Sequence, residues 1–300
     1  MLRACPGTAW SSCRRNSPLR RATHDRPESG GDVGGDGDDV GDVGGDGEAR
    51  RRSCPVTLAP MRVVVLSDIH SNAFALEAVL ESTGPFGQLW VLGDIVGYGP
   101  DPNGVVERLR GEDAIAVQGN HDAAALGRIP VGTFNDLARA AVAWTSETLT
   151  ATSRDWLAAL PDKRVEGDFT LAHGSPRDPL WEYLFSIPAA RRSLAAFDTP
   201  YCLVGHTHHQ LTFRDDGGQV EALLAKDAGR LTLDERRCIL NPGSVGQPRD
   251  GDPRACAMLL DTETLDVEWR RIDYDIDKTQ QAIRELPLPG GLADRLELGL

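Results

Sequence analysis

Three hundred residues, 40% of them hydrophobic, suffice for one large domain or two small ones with a sizeable core. The formal charge of −13 falls wholly after residue 60, because residues 1–60 hold 9 Arg and no Lys against 9 Asp and Glu; that balance argues against a broad nucleic-acid-binding face, which needs clustered Lys and Arg. No run of about 18 uninterrupted apolar residues occurs, so no stretch reads as a membrane span.

The chain opens on its least structured composition. Gly31–Gly47 repeats Gly-Asp-Val-Gly-Gly-Asp-Gly with no aromatic residue, and such a segment cannot offset its ordering entropy. Residues 1–60 are therefore expected to be a disordered, low-complexity leader. Calcium binding by a glycine-aspartate repeat is the functional alternative, but the periodic large apolar position is absent. Arg3, Arg14, Arg15, Arg20 and Arg21 have the composition of an organelle-targeting leader. Against that, Met61 stands immediately before the first strand, and 29 Arg to 3 Lys suits a G+C-rich genome prone to spurious upstream reading frames. The leader thus reads as an upstream extension, with the working domain at 61–300. Cys5, Cys13 and Cys54 fall in the leader and Cys202, Cys238 and Cys256 beyond it. Neither trio has C-x-x-C spacing, and the expectation is reduced thiols in a cytoplasmic protein, with Cys202 and Cys238 as core fillers.

Val63–Leu66 reads as a strand buried on both faces, and it stops abruptly at Asp68 and His70. Residues i and i+2 share a side of extended backbone, so the carboxylate and the imidazole can converge beyond the sheet edge. An oxygen and an imidazole nitrogen at one point suit a divalent transition metal. Ala73–Glu81 is an amphipathic helix, Gln88–Leu92 a second strand ending at Gly93-Asp94, Gly104–Arg110 a helix, and Ala114–Gln118 a third strand ending at Gly119-Asn120-His121-Asp122. Asp68 to Asp94 and Asp94 to Asn120 are each 26 residues apart, the length of one β-α-β step, so these strands should be parallel neighbours with their polar ends on one edge.

Residues 133–150 and 153–160 are helical, with Leu137, Val142, Trp144, Leu149, Trp156 and Leu157 at packing positions. Asp168–Ala172 is a strand ending at His173, followed by the aromatic segment Pro179–Phe185 with Trp181, Tyr183 and Phe185, for which core or rim packing outweighs contact with substrate. After a helix at 188–196, Tyr201–Val204 ends at Gly205-His206-Thr207-His208-His209. Period-two segments follow at Gln210–Arg214, Gln219–Leu224, Arg237–Leu240, Ala255–Leu260 and Leu265–Arg271 with short turns between, Asp275–Glu285 is a helix, and Leu286–Leu300 a loose tail. A parallel-rich first half and an antiparallel second half predict an α/β domain of two sheets packed face to face with helices outside.

Five segments thus set metal-ligand side chains just after a strand: Asp68 with His70, Asp94, Asn120 with His121, His173, and His206 with His208. This ordered set resembles the calcineurin-like metallophosphoesterase superfamily over Met61 to about Arg271. Ser67-Asp68-Ile69-His70-Ser71-Asn72, the run Gly93–Pro100 and Asn241-Pro242-Gly243-Ser244 are most similar to its small prokaryotic phosphodiesterase branch. Phosphoprotein phosphatases carry Asp-Arg-Gly where this chain has Gly97, Tyr98 and Gly99, so their bidentate phosphate clamp is missing.

The resemblance implies a four-layer α-β-β-α fold of mixed sheets and a binuclear centre. Asp68, His70 and His208 would hold one divalent ion and Asn120, His173 and His206 the other, with Asp94 bridging. Manganese is the expected metal, with iron, nickel, zinc or magnesium as alternatives. Such a pair acidifies a shared water to a hydroxide that attacks phosphorus in line. By the same resemblance His121 protonates the leaving group, and Asp122 is a candidate to orient its ring. Asn72 has two readings, a hydrogen bond to substrate and a helix cap, with capping favoured. Arg249 is the candidate cation for a substrate phosphate, against a surface salt bridge. His209 matches no ligand position. The expected activity is phosphodiester hydrolysis of small diesters or nucleotides. The alternatives are a phosphomonoesterase, a dinucleoside polyphosphate hydrolase and a binding scaffold that would have lost ligands. Expected partners are a small phosphoester, with no extended nucleic-acid surface and no membrane; the sequence leaves the oligomeric state open.

Overall fold

The computed structural model describes residues 62–224 and 229–300. The expectation of a disordered leader therefore falls outside the described residues. In chain order the elements are β1 (Arg62–Leu66), α1 (Ala73–Thr83), β2 (Gln88–Val91), α2 (Pro102–Gly111), β3 (Ile115–Ala116), α3 (Asn120–Ala125), α4 (Asp136–Thr148), α5 (Ala151–Ala158), β4 (Lys163–Glu166), β5 (Phe169–Ala172) and α6 (Ile187–Leu194). They continue with β6 (Tyr201–Leu203), β7 (Gln210–Asp216), β8 (Gln219–Leu224), β9 (Arg230–Thr232), β10 (Cys238–Pro242), β11 (Ala255–Asp261), β12 (Asp266–Ile272), α7 (Ile276–Arg284) and α8 (Gly291–Asp294). Local chemistry sets the helix starts. Asn72, Asp101, Asn135, Thr150, Ser186 and Asp275 each accept a backbone N–H from the first turn of the helix that follows.

Two mixed six-stranded sheets result, in the orders β3-β2-β1-β11-β12-β9 and β4-β5-β6-β10-β7-β8. The three strands of the first β-α-β steps are parallel neighbours, as the spacing predicts. The first half is parallel-rich and the second mostly antiparallel, but the two halves share the sheets. Strand β11 pairs antiparallel to β1 and is followed by β12 and β9, each antiparallel to its neighbour, so the first sheet joins both ends of the described domain. The second sheet is mixed because β10 lies parallel to β6 while β4, β7 and β8 pair antiparallel to their neighbours.

Alternation along β1 shows how the layers form. Val63 and Val65 join Trp90, Met258, Leu260 and Trp269 of their own sheet and Leu171, Leu203 and Leu240 of the other in one buried cluster between the sheets. Val64 and Leu66 face the opposite way, onto Leu76 and Val79 of α1 and Val105, Val106 and Leu109 of α2. On the far side of the second sheet, Ala190 and Leu194 of α6 pack with Cys202, Leu211, Phe213 and Ile239. Burying such side chains stabilises by roughly 1.5–3 kcal/mol each. Cys202, Cys238 and Cys256 are free and buried, and burial pushes the Cys238 and Cys256 thiols up to about 11 and about 12, which leaves them inert.

Two elements depart from the expected order. Residues 286–300 are not a loose tail, because Leu288, Leu292, Ala293 and Leu296 pack with Ile283 of α7, Ala138 and Val142 of α4, and Tyr98. Helix α3 begins directly at Asn120, so the polar end of β3 is also the first turn of a helix.

Candidate metal centre

Where the strands end, the backbone turns through a conformation that side chains disfavour. Nine described non-glycine residues have positive φ, and five of them are candidate ligands: Asp68 (53°), His70 (49°), Asp94 (50°), His206 (66°) and His208 (60°). Such residues are uncommon outside glycine and cost of order 1 kcal/mol each. The left-handed turn redirects each side chain over the sheet edge, so strain concentrates where the chemistry converges. Neighbouring glycines permit this crowding. A Cβ on Gly119 would collide with the amide and Oδ1 of Asp94, and one on Gly205 with Ser67 Oγ.

The side chains gather in two groups, Asp68 with His70 and His208, and Asp94 with His173 and His206; within each, the ligand atoms lie within 4.8 Å of one another. In the first group, His70 Nδ1 lies 3.2 Å from the Val96 carbonyl, and His208 Nδ1 pairs with the Gln247 carbonyl. A carbonyl only accepts, so both protons sit on Nδ1 and both Nε2 atoms present lone pairs, 3.3 Å apart. Asp68 Oδ1 faces them at 3.2 Å from His208 and 3.9 Å from His70. In the second group, His173 Nδ1 is bound to Leu92 O at 2.9 Å. Its Nε2 lies 3.0 Å from His206 Nδ1, 3.1 Å from Asn120 Oδ1 and 3.3 Å from Asp94 Oδ2. Asp94 Oδ2 is also 3.7 Å from His70 Nε2, which puts this one oxygen between the groups.

Acceptors facing acceptors in a buried space repel unless something positive stands among them. That fits a pair of divalent cations: imidazole nitrogens, carboxylate oxygens and one amide oxygen, oriented from behind by backbone carbonyls. Turning the Asn120 amide over would let its nitrogen donate to His173 Nε2 and to Asp94; the oxygen-inward orientation is the one a ligand adopts. The ionisation states agree with this donor set. Burial holds His70 and His208 below the ordinary imidazole value and His206 at about 3, all neutral and ready to bind. Burial works against the Asp68 and Asp94 carboxylates, yet both stay well below the ordinary carboxylate value and ionised, and His173 acts on each of them. Burial also opposes a charge on His173, but Asp94 overrides it and lifts the ring to about 9. Without a metal, a proton on His173 stands in for part of the missing positive charge.

The remaining candidates divide. His121 lies at the site: its ring is 4.9 Å from that of His70 and 4.4 Å from Tyr98, and its amide donates to Asp94 Oδ1 at 2.8 Å, fixing that carboxylate. Asp122 does not orient the His121 ring. Its two oxygens accept from Val96 N and Gly119 N, both at 2.9 Å, so it ties the loops after β2 and β3 together. Asn72 caps α1 through Ala75 N at 3.1 Å, accepts from Thr279 Oγ1 and donates to Gly246 O, contacts that agree with the favoured capping role. Arg249 makes no ion pair among the described residues. It donates to Gln247 Oε1 and stands 5.8 Å from the Tyr98 ring centroid.

Sequence reasoning missed two neighbours. Arg295, inside the presumed tail, also lies 5.8 Å from the Tyr98 ring centroid, and no local motif marks it. Tyr98, among glycines that signal only a turn, walls the centre with its ring 4.7 Å from that of His70.

Residues 61–265 match the family model described as the calcineurin-like phosphoesterase superfamily domain. An uncharacterized protein of Methanocaldococcus jannaschii is 36% identical over 245 residues, 79% of this chain and 98% of that one. Among solved structures, a metallophosphoesterase from Sphaerobacter thermophilus is 44% identical, covers 81% of this chain and 100% of its own, and superposes with a TM-score of 0.75. A hypothetical protein from Pyrococcus horikoshii OT3, 22% identical over 80% of this chain and 99% of its own, shares the fold with a TM-score of 0.67. On its sequence and its architecture alike, this chain belongs to the calcineurin-like phosphoesterase superfamily.

Proposed function

We propose that this protein is a two-metal phosphodiesterase acting on small phosphodiesters or nucleotides. The observation that carries the reading is the single oxygen, Asp94 Oδ2, held between two groups of neutral imidazoles and carboxylates whose donor atoms face one another. Asp68, His70 and His208 would hold one ion and Asn120, His173 and His206 the other, with Asp94 shared. Manganese is our choice of metal, since the mixed oxygen and nitrogen set includes no thiolate. When bound, the pair supplies an acidified water and positive charge for the phosphoryl oxygens.

The chain's own residues then do the positioning. The Val96, Gln247 and Leu92 carbonyls keep three imidazoles in the tautomer that binds. The His121 amide holds Asp94 with Oδ2 inward. We assign the His121 side chain a narrower part than a general acid: burial lowers it to about 4, so near neutral pH it is an uncharged ring that donates one N–H to a departing or phosphoryl oxygen. Arg249, the nearby guanidinium without an ion-pair partner among the described residues, is our choice for attracting the anionic ester. A scaffold would be expected to have lost ligands, and every position of the set is filled here. We take residues 61–300 as the working domain and, on its free buried thiols, place it in the cytoplasm.

The test is hydrolysis of bis-p-nitrophenyl phosphate and p-nitrophenyl phosphate by the full chain with manganese, nickel, magnesium or no metal, beside Asp94→Ala. Metal-dependent cleavage of the diester that disappears in the variant is expected. Equal activity in the variant, or turnover of the monoester alone, would refute the reading.

A further inference from the structure

The segment between β5 and α6 builds an aromatic surface against the candidate metal centre. The Tyr183 ring lies on His206, with centroids 3.7 Å apart and planes 22° from parallel. Phe185 continues the stack, its ring centroid 5.8 Å from that of Tyr183 and the two planes 10° from parallel. His209, which matches no ligand position, stands edge-on to Phe185 at 5.3 Å. Both rings are open to solvent, Tyr183 at 46% and Phe185 at 56%, while Leu184 between them is fully buried in the layer under α6. Strand-like alternation about that anchor puts both rings on the outer side.

Exposed aromatic rings are costly to keep in water unless something covers them in use, and these are held ready. Gly174 N donates to Pro179 O, Ser175 Oγ to Glu182 Oε2, and Arg177 Nη1 to Glu182 Oε1 at 2.8 Å, so the segment is closed by its own hydrogen bonds. Trp181 packs edge-on against Phe134, whose other neighbour is His121. The ledge is thus fixed relative to the same rings that border the metals. A group resting on it would have its attached phosphate within reach of the centre.

We propose that Tyr183 and Phe185 form a stacking ledge for the base of a nucleotide ester whose phosphorus is delivered to the metal pair. The inference rests on reading that pair as the phosphoester site. A nucleobase fits better than an aliphatic group because nearly parallel aromatic rings with open faces reward another flat π-surface stacked on them, and the anionic phosphate beside it suits the nearby Arg249. Stacking of this kind is tolerant of base identity, so the preference should be for having a base rather than for one base.

The experiment compares binding of adenosine 5′-monophosphate and ribose 5-phosphate to the manganese-loaded full chain by calorimetry. It is repeated with Phe185→Ala and with Phe185→Trp, whose larger ring keeps the platform. Adenosine 5′-monophosphate should bind roughly tenfold more tightly in the native protein, the advantage should fall towards unity in Phe185→Ala, and Phe185→Trp should restore it. Equal affinity for the two probes, or an advantage untouched by Phe185→Ala, would overturn the ledge. A base preference in a protein that cleaves no diester would sink the hydrolase reading and leave the ledge standing.

Discussion

Asp94 should make His173 a proton carrier in the metal-free protein, and its removal should show this directly. The rise of His173 from 6.5 to about 9 is worth about 3 kcal/mol, at about 1.4 kcal/mol per tenfold change in proton affinity. Because the folded value lies above the unfolded one, this contribution is complete below about pH 6.5 and lost as pH climbs through about 9. The metal-free protein should lose about 3 kcal/mol of stability across that window, and its affinity for metal should rise roughly tenfold per pH unit until it levels off above the folded value. In Asp94→Asn the carboxylate 3.3 Å from Nε2 loses its charge, and the ring should fall, burial then being opposed only by Asp68 and the Leu92 carbonyl. NMR titration of the histidine rings in metal-free native and Asp94→Asn proteins reads both states. A native His173 that titrates at or below 6.5, or one that is unmoved by the substitution, would falsify the assignment.

Gly119→Ala places a methyl group against the amide and Oδ1 of Asp94; we expect a loss of about 1–3 kcal/mol in urea unfolding together with weakened metal binding, and an unchanged midpoint would contradict the packing. Asn72→Ala removes a helix cap and leaves Gly246 O without its donor, so it should cost about 2–3 kcal/mol of stability with KM unaltered; a raised KM at native stability would return Asn72 to the substrate site. Arg249→Ala should raise KM for an anionic diester about tenfold with kcat nearly constant, whereas no change in either constant would remove it from the site. His121→Gln, which keeps an N–H donor, should slow esters with alkoxide leaving groups by less than His121→Ala does, and identical rates for the two variants would show that the donor is not used.

The placement of the candidate ligands is legible where strand ends announce themselves. An apolar run that breaks at Asp68-x-His70, at Gly93-Asp94 or at Gly205-His206-x-His208 locates a side chain at a sheet edge whatever the tertiary detail, and the 26-residue interval orders three of those edges as neighbours. Contacts between distant segments were beyond such local signals. Asp122 looked like a partner for the adjacent His121, but its oxygens are taken by amides of the loops after β2 and β3. Asn72 accepts from Thr279, 207 positions away. The tail containing Arg295 has Leu288, Leu292 and Leu296 at helical spacing, but Pro287, Pro289, Gly290 and Gly291 read as a break and hide that it docks on α4 and α7. Strand β4 was missed because its exposed residues lack the alternation that marks a half-buried strand, and β9 because three residues are too short to show it.

The pairing of β1 with β11 has a consequence for how the polypeptide is made. Val64 sits opposite Leu259 at the middle of the first sheet, so that junction cannot close until nearly the whole chain has left the ribosome. Contacts of such long separation slow folding. Until β11 arrives, the ribbon carrying Asp68 and Asp94 has an open, apolar flank that holdase chaperones or a stalled neighbour could occupy. Stopping translation before Ala255 should therefore yield nascent chains that aggregate or remain chaperone-bound, and release of residues 255–300 should be the event that commits the molecule to its native state.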